Sequence, residues 1–112
     1  TFVKDTVNGF YEISQSSKAN GEIINIGMSK DISIYDLAHL IANELNTNIK
    51  IKTDKDRVRP KGSEVERLLC NNSKIKTHTN WVPKYNLKQG INETIDWIKE
   101  NMELYKLNIY NV

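Results

Sequence analysis

A chain of 112 residues, 38% apolar and 27% charged, with five Gly, two Pro and one Cys, has the profile of a single soluble globular domain. It is long enough for one hydrophobic core and too short for two. No apolar run approaches the ~20 residues of a membrane-spanning helix, and the lone Cys70 cannot close an internal disulfide, so membrane and disulfide-stapled secreted classes are excluded. With no signal-peptide pattern in Thr1-Phe2-Val3-Lys4-Asp5, a cytoplasmic location is expected.

Sixteen basic and fourteen acidic residues leave a formal charge of +2. Nucleic-acid binders of this size concentrate Lys and Arg on one face with interleaved aromatics, whereas here acids interrupt the bases nearly everywhere. The densest group, Lys50, Lys52, Lys55, Arg57, Arg59 and Lys61, reads as a solvated strand edge and loop.

In chain order, the first element is a short helix from Asp5, a potential N-cap, through Val7, Phe10, Tyr11 and Ser14. A chain that starts so close to a helix reads as entering mid-fold, as a fragment of a longer one. After a polar turn, the β-branched run Glu22-Ile23-Ile24-Asn25-Ile26-Gly27 predicts a buried strand. Ser33 with Asp36 caps a second helix, Ile34, Leu37, Ala38, Ile41 and Leu45 recurring at helical spacing to Asn46. Alternation in Asn48-Ile49-Lys50-Ile51-Lys52 predicts a half-exposed strand with both isoleucines inward. A polar loop runs from Thr53 to Ser63, and a short strand is expected over 64–70. Asn72-Ser73 caps a brief helix to His78, which Asn80-Trp81-Val82-Pro83 ends. Asn86 and Gln89 form a capping box for a last helix whose stripe runs from Leu87 through Ile91, Ile95, Ile98 and Met102 to Tyr105. The expected fold is a small α/β unit of short strands and three main helices, with Ile24, Ile26, Ile41, Leu45, Ile95 and Ile98 in its core.

Catalytic signals are sparse. His39 and His78 have no ligand partners at metal-site spacing, and Cys70 has no neighbouring base. Gly9, Gly21, Gly27, Gly62 and Gly90 lie too far apart for a phosphate-cradling loop, and no Tyr precedes a Lys by four residues. Trp81 and Trp97 are expected in the core. One segment stands out, Asp54 to Glu64, where Arg57 and Arg59 offer planar forks suited to a diphosphate or carboxylate and Pro60 stiffens the backbone. An ordinary surface pairing of these arginines with Asp54, Asp56 or Glu64 fits the same residues equally well.

Read together, Phe2-Val3-Lys4-Asp5-Thr6-Val7-Asn8-Gly9, Gly21-Glu22-Ile23-Ile24-Asn25-Ile26-Gly27, Ser33 to Ala38, Arg59-Pro60, Asn72-Ser73-Lys74-Ile75 and Asn80-Trp81-Val82-Pro83 resemble the C-terminal part of extended short-chain dehydrogenase/reductases. More narrowly, the order and spacing are similar to the tail of nucleotide-sugar 4,6-dehydratases and 4-epimerases. The resemblance implies a substrate-binding lobe lacking its Rossmann domain, not catalytic alone. Its partners would be its own N-terminal Rossmann domain and a nucleotide-diphosphate sugar, in a homodimeric parent using NAD or NADP held by the absent domain. It carries a phosphate-contacting role over to Arg59, with Arg57 as alternative, and a nucleotide-ribose role to Glu64; no catalytic, cofactor-binding or metal-binding residue is implied on this stretch. The parent would oxidise the sugar C4 hydroxyl, acidifying C5–H so that water leaves across C5–C6. A free-standing binding module and a weak nucleic-acid-binding domain are the other classes considered.

The interspersed charges predict nucleic-acid binding without sequence preference that vanishes near ordinary ionic strength, because few phosphates are neutralised together. Titrating labelled DNA and RNA at about 150 mM salt checks this; a submicromolar, sequence-selective complex would contradict it.

Overall fold

The computed structural model describes residues 1–52 and 67–105. Among the described residues four α-helices follow one another: α1 (Val3–Ser14), α2 (Ile34–Glu44), α3 (Ser73–His78) and α4 (Leu87–Glu100). Single 3-10 turns at Ser17–Ala19 and Met102–Leu104 follow α1 and α4. α1 packs on α3, and α2 packs on α4. Among the described residues no helix is long and apolar enough to cross a membrane.

Where local chemistry decides, the elements form as expected. The Ser33 hydroxyl accepts the Asp36 N–H at 3.0 Å and starts α2. Asn46 at φ 49° ends that helix, its N–H donating to Asn43 O and that of Thr47 to Ala42 O at 3.0 Å, the paired bonds of a Schellman stop. At α4 the capping box is complete: the Asn86 side chain accepts the Gln89 N–H and the Gln89 side chain accepts the Asn86 N–H, both at 2.9 Å. α4 stops at Glu100, short of the expected Tyr105, where the Asn101 amide turns back to donate to Trp97 O at 2.8 Å.

The α/β expectation is corrected. Among the described residues there is no β-strand, neither at 22–27 nor at 48–52 nor over the described part of 64–70. A β-branched run becomes a strand only when a neighbour pairs with its backbone, and no described backbone group bonds to that of Ile23 through Ile32. Ile23 is 86% exposed, and Ile49 and Ile51 face solvent rather than inward.

The core also differs from the expected isoleucine set. Among the described residues, Ala19, Ala42, Ile75 and Trp81 are the buried apolar ones, joined by Asp5 and Asn72. Leu45 is exposed, while Ile41, Ile95 and Ile98 are half-buried along an apolar groove of about 540 Å³ between α2 and α4.

The hub of this core is Asp5. It is not the cap of α1, which begins at Val3, but lies in the first turn, buried. Its two carboxylate oxygens accept the Lys84 and Tyr85 N–H groups at 2.9 and 3.1 Å, and its carbonyl accepts the Trp81 indole N–H at 2.9 Å. α1 is thereby fixed to the α3–α4 connection. Gly9, one helical turn on, lets Ile26 and Trp81 close over the helix: a Cβ there would meet Ile26 Cδ1 at 2.9 Å and Trp81 Nε1 at 3.3 Å.

Trp81→Ala is expected to remove about 3–5 kcal/mol of stability, as for other buried aromatic truncations. Asp5→Asn presents an NH2 to one of two backbone donors and is expected to cost about 1.5–3 kcal/mol. Denaturant unfolding of both variants checks the pair; a wild-type midpoint for Asp5→Asn would remove Asp5 from the hub.

Candidate functional site

The sequence-derived site residues Arg57, Arg59 and Glu64 lie outside the described residues. What the structure describes is how the chain leaves that segment. Residues 67–72 run beside residues 27–31 in opposite directions, and side chains rather than backbone groups join them.

Three rungs connect the two stretches. The buried Asn72 side chain donates to Gly27 O at 2.7 Å. The Ser29 hydroxyl donates to Cys70 O at 2.7 Å and accepts the Asn72 N–H at 3.4 Å. Outermost, Arg67 Nε and Nη2 donate to Asp31 Oδ2 and Oδ1 in a fork, the second contact at 3.1 Å. Asn72 was expected to cap α3; its side chain is committed to Gly27 instead, and Asn71 Oδ1 accepts the Ser73 N–H at 3.0 Å.

Backbone geometry favours this arrangement at two points. Ser29 adopts φ 50°, uncommon for a residue with a side chain. Gly27 is buried so close to Cys70 that an added Cβ would lie 2.6 Å from the Cys70 Cβ. Cys70 is half-buried against this glycine, in the role of a small packing residue.

The remaining titratable residues are dispersed. The His39 ring lies tilted against Tyr35 along α2, centroids 4.4 Å apart, and His78 Nδ1 lies 2.9 Å from the Thr77 hydroxyl. Among the described residues no group of three His, Cys, Asp or Glu is placed to hold a metal ion. Trp97, expected in the core, is 51% exposed, with Tyr105 edge-on at 6.4 Å. α1 carries an exposed apolar stripe of Val3, Val7, Phe10 and Tyr11.

Asp31, Ser29 and Arg67 were not singled out in the sequence. The one available signal was Arg67 itself, the third arginine of a lysine-dominated chain, set three residues after Glu64.

Surface ion pairs tie the elements: Lys74 to Glu22 at 2.8 Å, Lys88 to Glu44 at 2.9 Å, and Lys4 to Glu93. Hydrogen bonds from Lys74, Lys88 and Arg67 hold Glu22, Glu44 and Asp31 below their ordinary carboxylate values. A depressed carboxylate adds stability above its unfolded pKa and loses it as pH falls through its folded pKa. The thermal midpoint is therefore expected to be level from pH 7 to about 5 and to fall below about 4.5, where these pairs lose their charge. A melt series across that range checks the sign; a midpoint that rises on acidification would contradict it.

The GDP-mannose 4,6 dehydratase family model matches residues 1–94. The chain is 30% identical over 108 residues to a human dTDP-D-glucose 4,6-dehydratase, covering 94% of this chain and 30% of that protein. It is 32% identical over 102 residues to a UDP-N-acetyl-alpha-D-glucosaminuronate decarboxylase of Bacillus cytotoxicus, covering 89% and 32%. To GDP-L-fucose synthase 1 of Arabidopsis thaliana it is 31% identical over 81 residues, covering 72% and 24%. The chain thus spans about a third or less of the length of these relatives. No solved structure matches it.

Proposed function

Because the chain belongs to the nucleotide-sugar dehydratase and epimerase family within the short-chain dehydrogenase/reductases, we propose that it is the C-terminal substrate-binding lobe of an NAD(P)-dependent nucleotide-sugar 4,6-dehydratase. The reaction is oxidation at the sugar C4 followed by loss of water across C5–C6. The residues of this chain do not form a dinucleotide site, since its glycines are dispersed and no Tyr-Lys pair is present, so cofactor binding and catalysis are assigned to the remainder of the protein. This lobe's share is orientation: holding the nucleotide diphosphate so that the sugar is presented in one pose.

The observation that carries this reading is the family match over residues 1–94, which takes in Arg59-Pro60 and Glu64. Arg59 pairs with a diphosphate oxygen, Arg57 is the alternative, and Glu64 accepts from the nucleotide ribose. The stripe of Val3, Val7, Phe10 and Tyr11 on α1 supports docking of the lobe against the rest of a protein about three times as long.

In the full-length protein, Arg59→Ala is expected to weaken nucleoside diphosphate binding by about 1.5–3 kcal/mol, the range for a hydrogen bond to a charged group. Arg59→Lys should recover only part, because it keeps the charge and loses the fork. Affinity for NADH stays as in the wild type. Calorimetric titration of the three proteins checks this, and equal affinities would transfer the role to Arg57. Incubation with nucleotide sugars separates the chemistry: a 4-keto-6-deoxy product supports the dehydratase, and a C4 epimer with water retained would replace it by the epimerase.

A further inference from the structure

We propose that Asn20–Gly21 is a site of spontaneous covalent modification, where the asparagine amide is lost through a succinimide to leave a mixture of aspartate and isoaspartate. The chain contains two Asn-Gly pairs, Asn8–Gly9 and Asn20–Gly21. The fold treats them in opposite ways.

Asn20 and Gly21 are the central residues of a β-turn closed by the Glu22 N–H, which donates to Ala19 O at 3.1 Å. With Asn20 at φ −62° and ψ 123° and Gly21 at φ 74°, the turn is of type II, and both residues are exposed. The peptide unit between them is the reactive one. Among the described residues neither Asn20 O nor the Gly21 N–H takes part in a hydrogen bond, whereas the peptides before and after it do. At this ψ the Gly21 nitrogen is turned away from the Asn20 side chain, so attack requires the peptide to rotate. No hydrogen bond from a described residue resists that rotation, and Gly21 follows it without a clash, since nothing lies within 4 Å of where a Cβ would stand.

The reaction needs only water and solvent base. The Gly21 N–H gives up its proton, the nitrogen bonds to Asn20 Cγ, and the side-chain nitrogen leaves as ammonia with a proton taken from water. Water then opens the ring. Addition at the Cγ carbonyl gives aspartate, and addition at the main-chain carbonyl routes the chain through the side chain as isoaspartate. Either product puts a negative charge beside Glu22, the partner of Lys74. Isoaspartate also adds a methylene to the turn that leads into the run whose Ile26 closes over Gly9.

Asn8–Gly9 is the contrasting case. Its peptide lies inside α1, Gly9 is buried, and Ile26 and Trp81 occupy the space around it. Ring closure there has to wait for the helix to open locally.

The test holds the full-length protein in warm, mildly alkaline buffer, native and in urea, and follows the mass gain of amide-to-acid exchange by tryptic mapping. Asn8 falls in peptide 5–18 and Asn20 in peptide 19–30, so the two are read separately. Native Asn20 is expected to convert within about threefold of its rate in urea, and native Asn8 at least about tenfold more slowly than in urea, the cost of local opening. Isoaspartate accompanies aspartate at position 20, the rate rises with pH, and Asn20→Gln removes the mass gain from peptide 19–30. A native Asn20 protected as strongly as Asn8 would overturn the proposal, because the turn would then be held. So would aspartate formed without isoaspartate, which marks direct hydrolysis of the amide. A mass gain that persists in Asn20→Gln would move the reaction to Asn25 and overturn it likewise.

Discussion

A single buried carboxylate joins the parts of this molecule. Asp5 accepts two backbone N–H groups from residues 84 and 85 through separate oxygens, and its carbonyl receives the Trp81 indole. Burying a carboxylate is costly unless its lone pairs are met. Here the donors come from the one connection that leads from α3 into α4. The same contact that satisfies Asp5 therefore sets where α4 begins, and α4 in turn forms one wall of the groove that α2 closes on the other side.

The second constraint lies at the far edge, where 27–31 meets 67–72. Two stretches without regular structure are held in antiparallel alignment by the side chains of Asn72, Ser29 and Arg67. Unlike a β-ladder, each rung depends on particular residues rather than on the backbone common to all. That dependence makes the junction specific in sequence.

What could be read from the sequence was what is local. α2 and α4 were legible because Ser33 with Asp36, and Asn86 with Gln89, meet across three residues, and the helical stripes lie within one element. Asp5 was visible as a residue of note at a helix start, but its partners lie nearly eighty residues away and no pattern near it names them. The isoleucines of 22–27 and 48–52 were misread as strand faces because periodicity reports what a neighbour would bury and cannot supply the neighbour. Family resemblance was legible for a related reason: it rests on ordered short motifs, each locally intact. Arg67 escaped notice because its partner Asp31 sits across the fold, and an isolated arginine in a charged run looks like solvated surface.

The glycines show where this chain has least room to drift. Gly9 yields its Cβ space to Ile26 and Trp81, Gly27 to Cys70, and Gly90 to Phe2, whose Cβ would lie 2.9 Å from an added methyl. Each contact belongs to a different pair of elements, so the three together fix spacings that no single helix determines. A lineage that enlarged one of them would have to shrink the facing residue in the same step. Phe2, Ile26 and Cys70 are thus coupled in size to their glycines, a constraint that the solvent-facing Lys99 and Glu100 of α4 do not share.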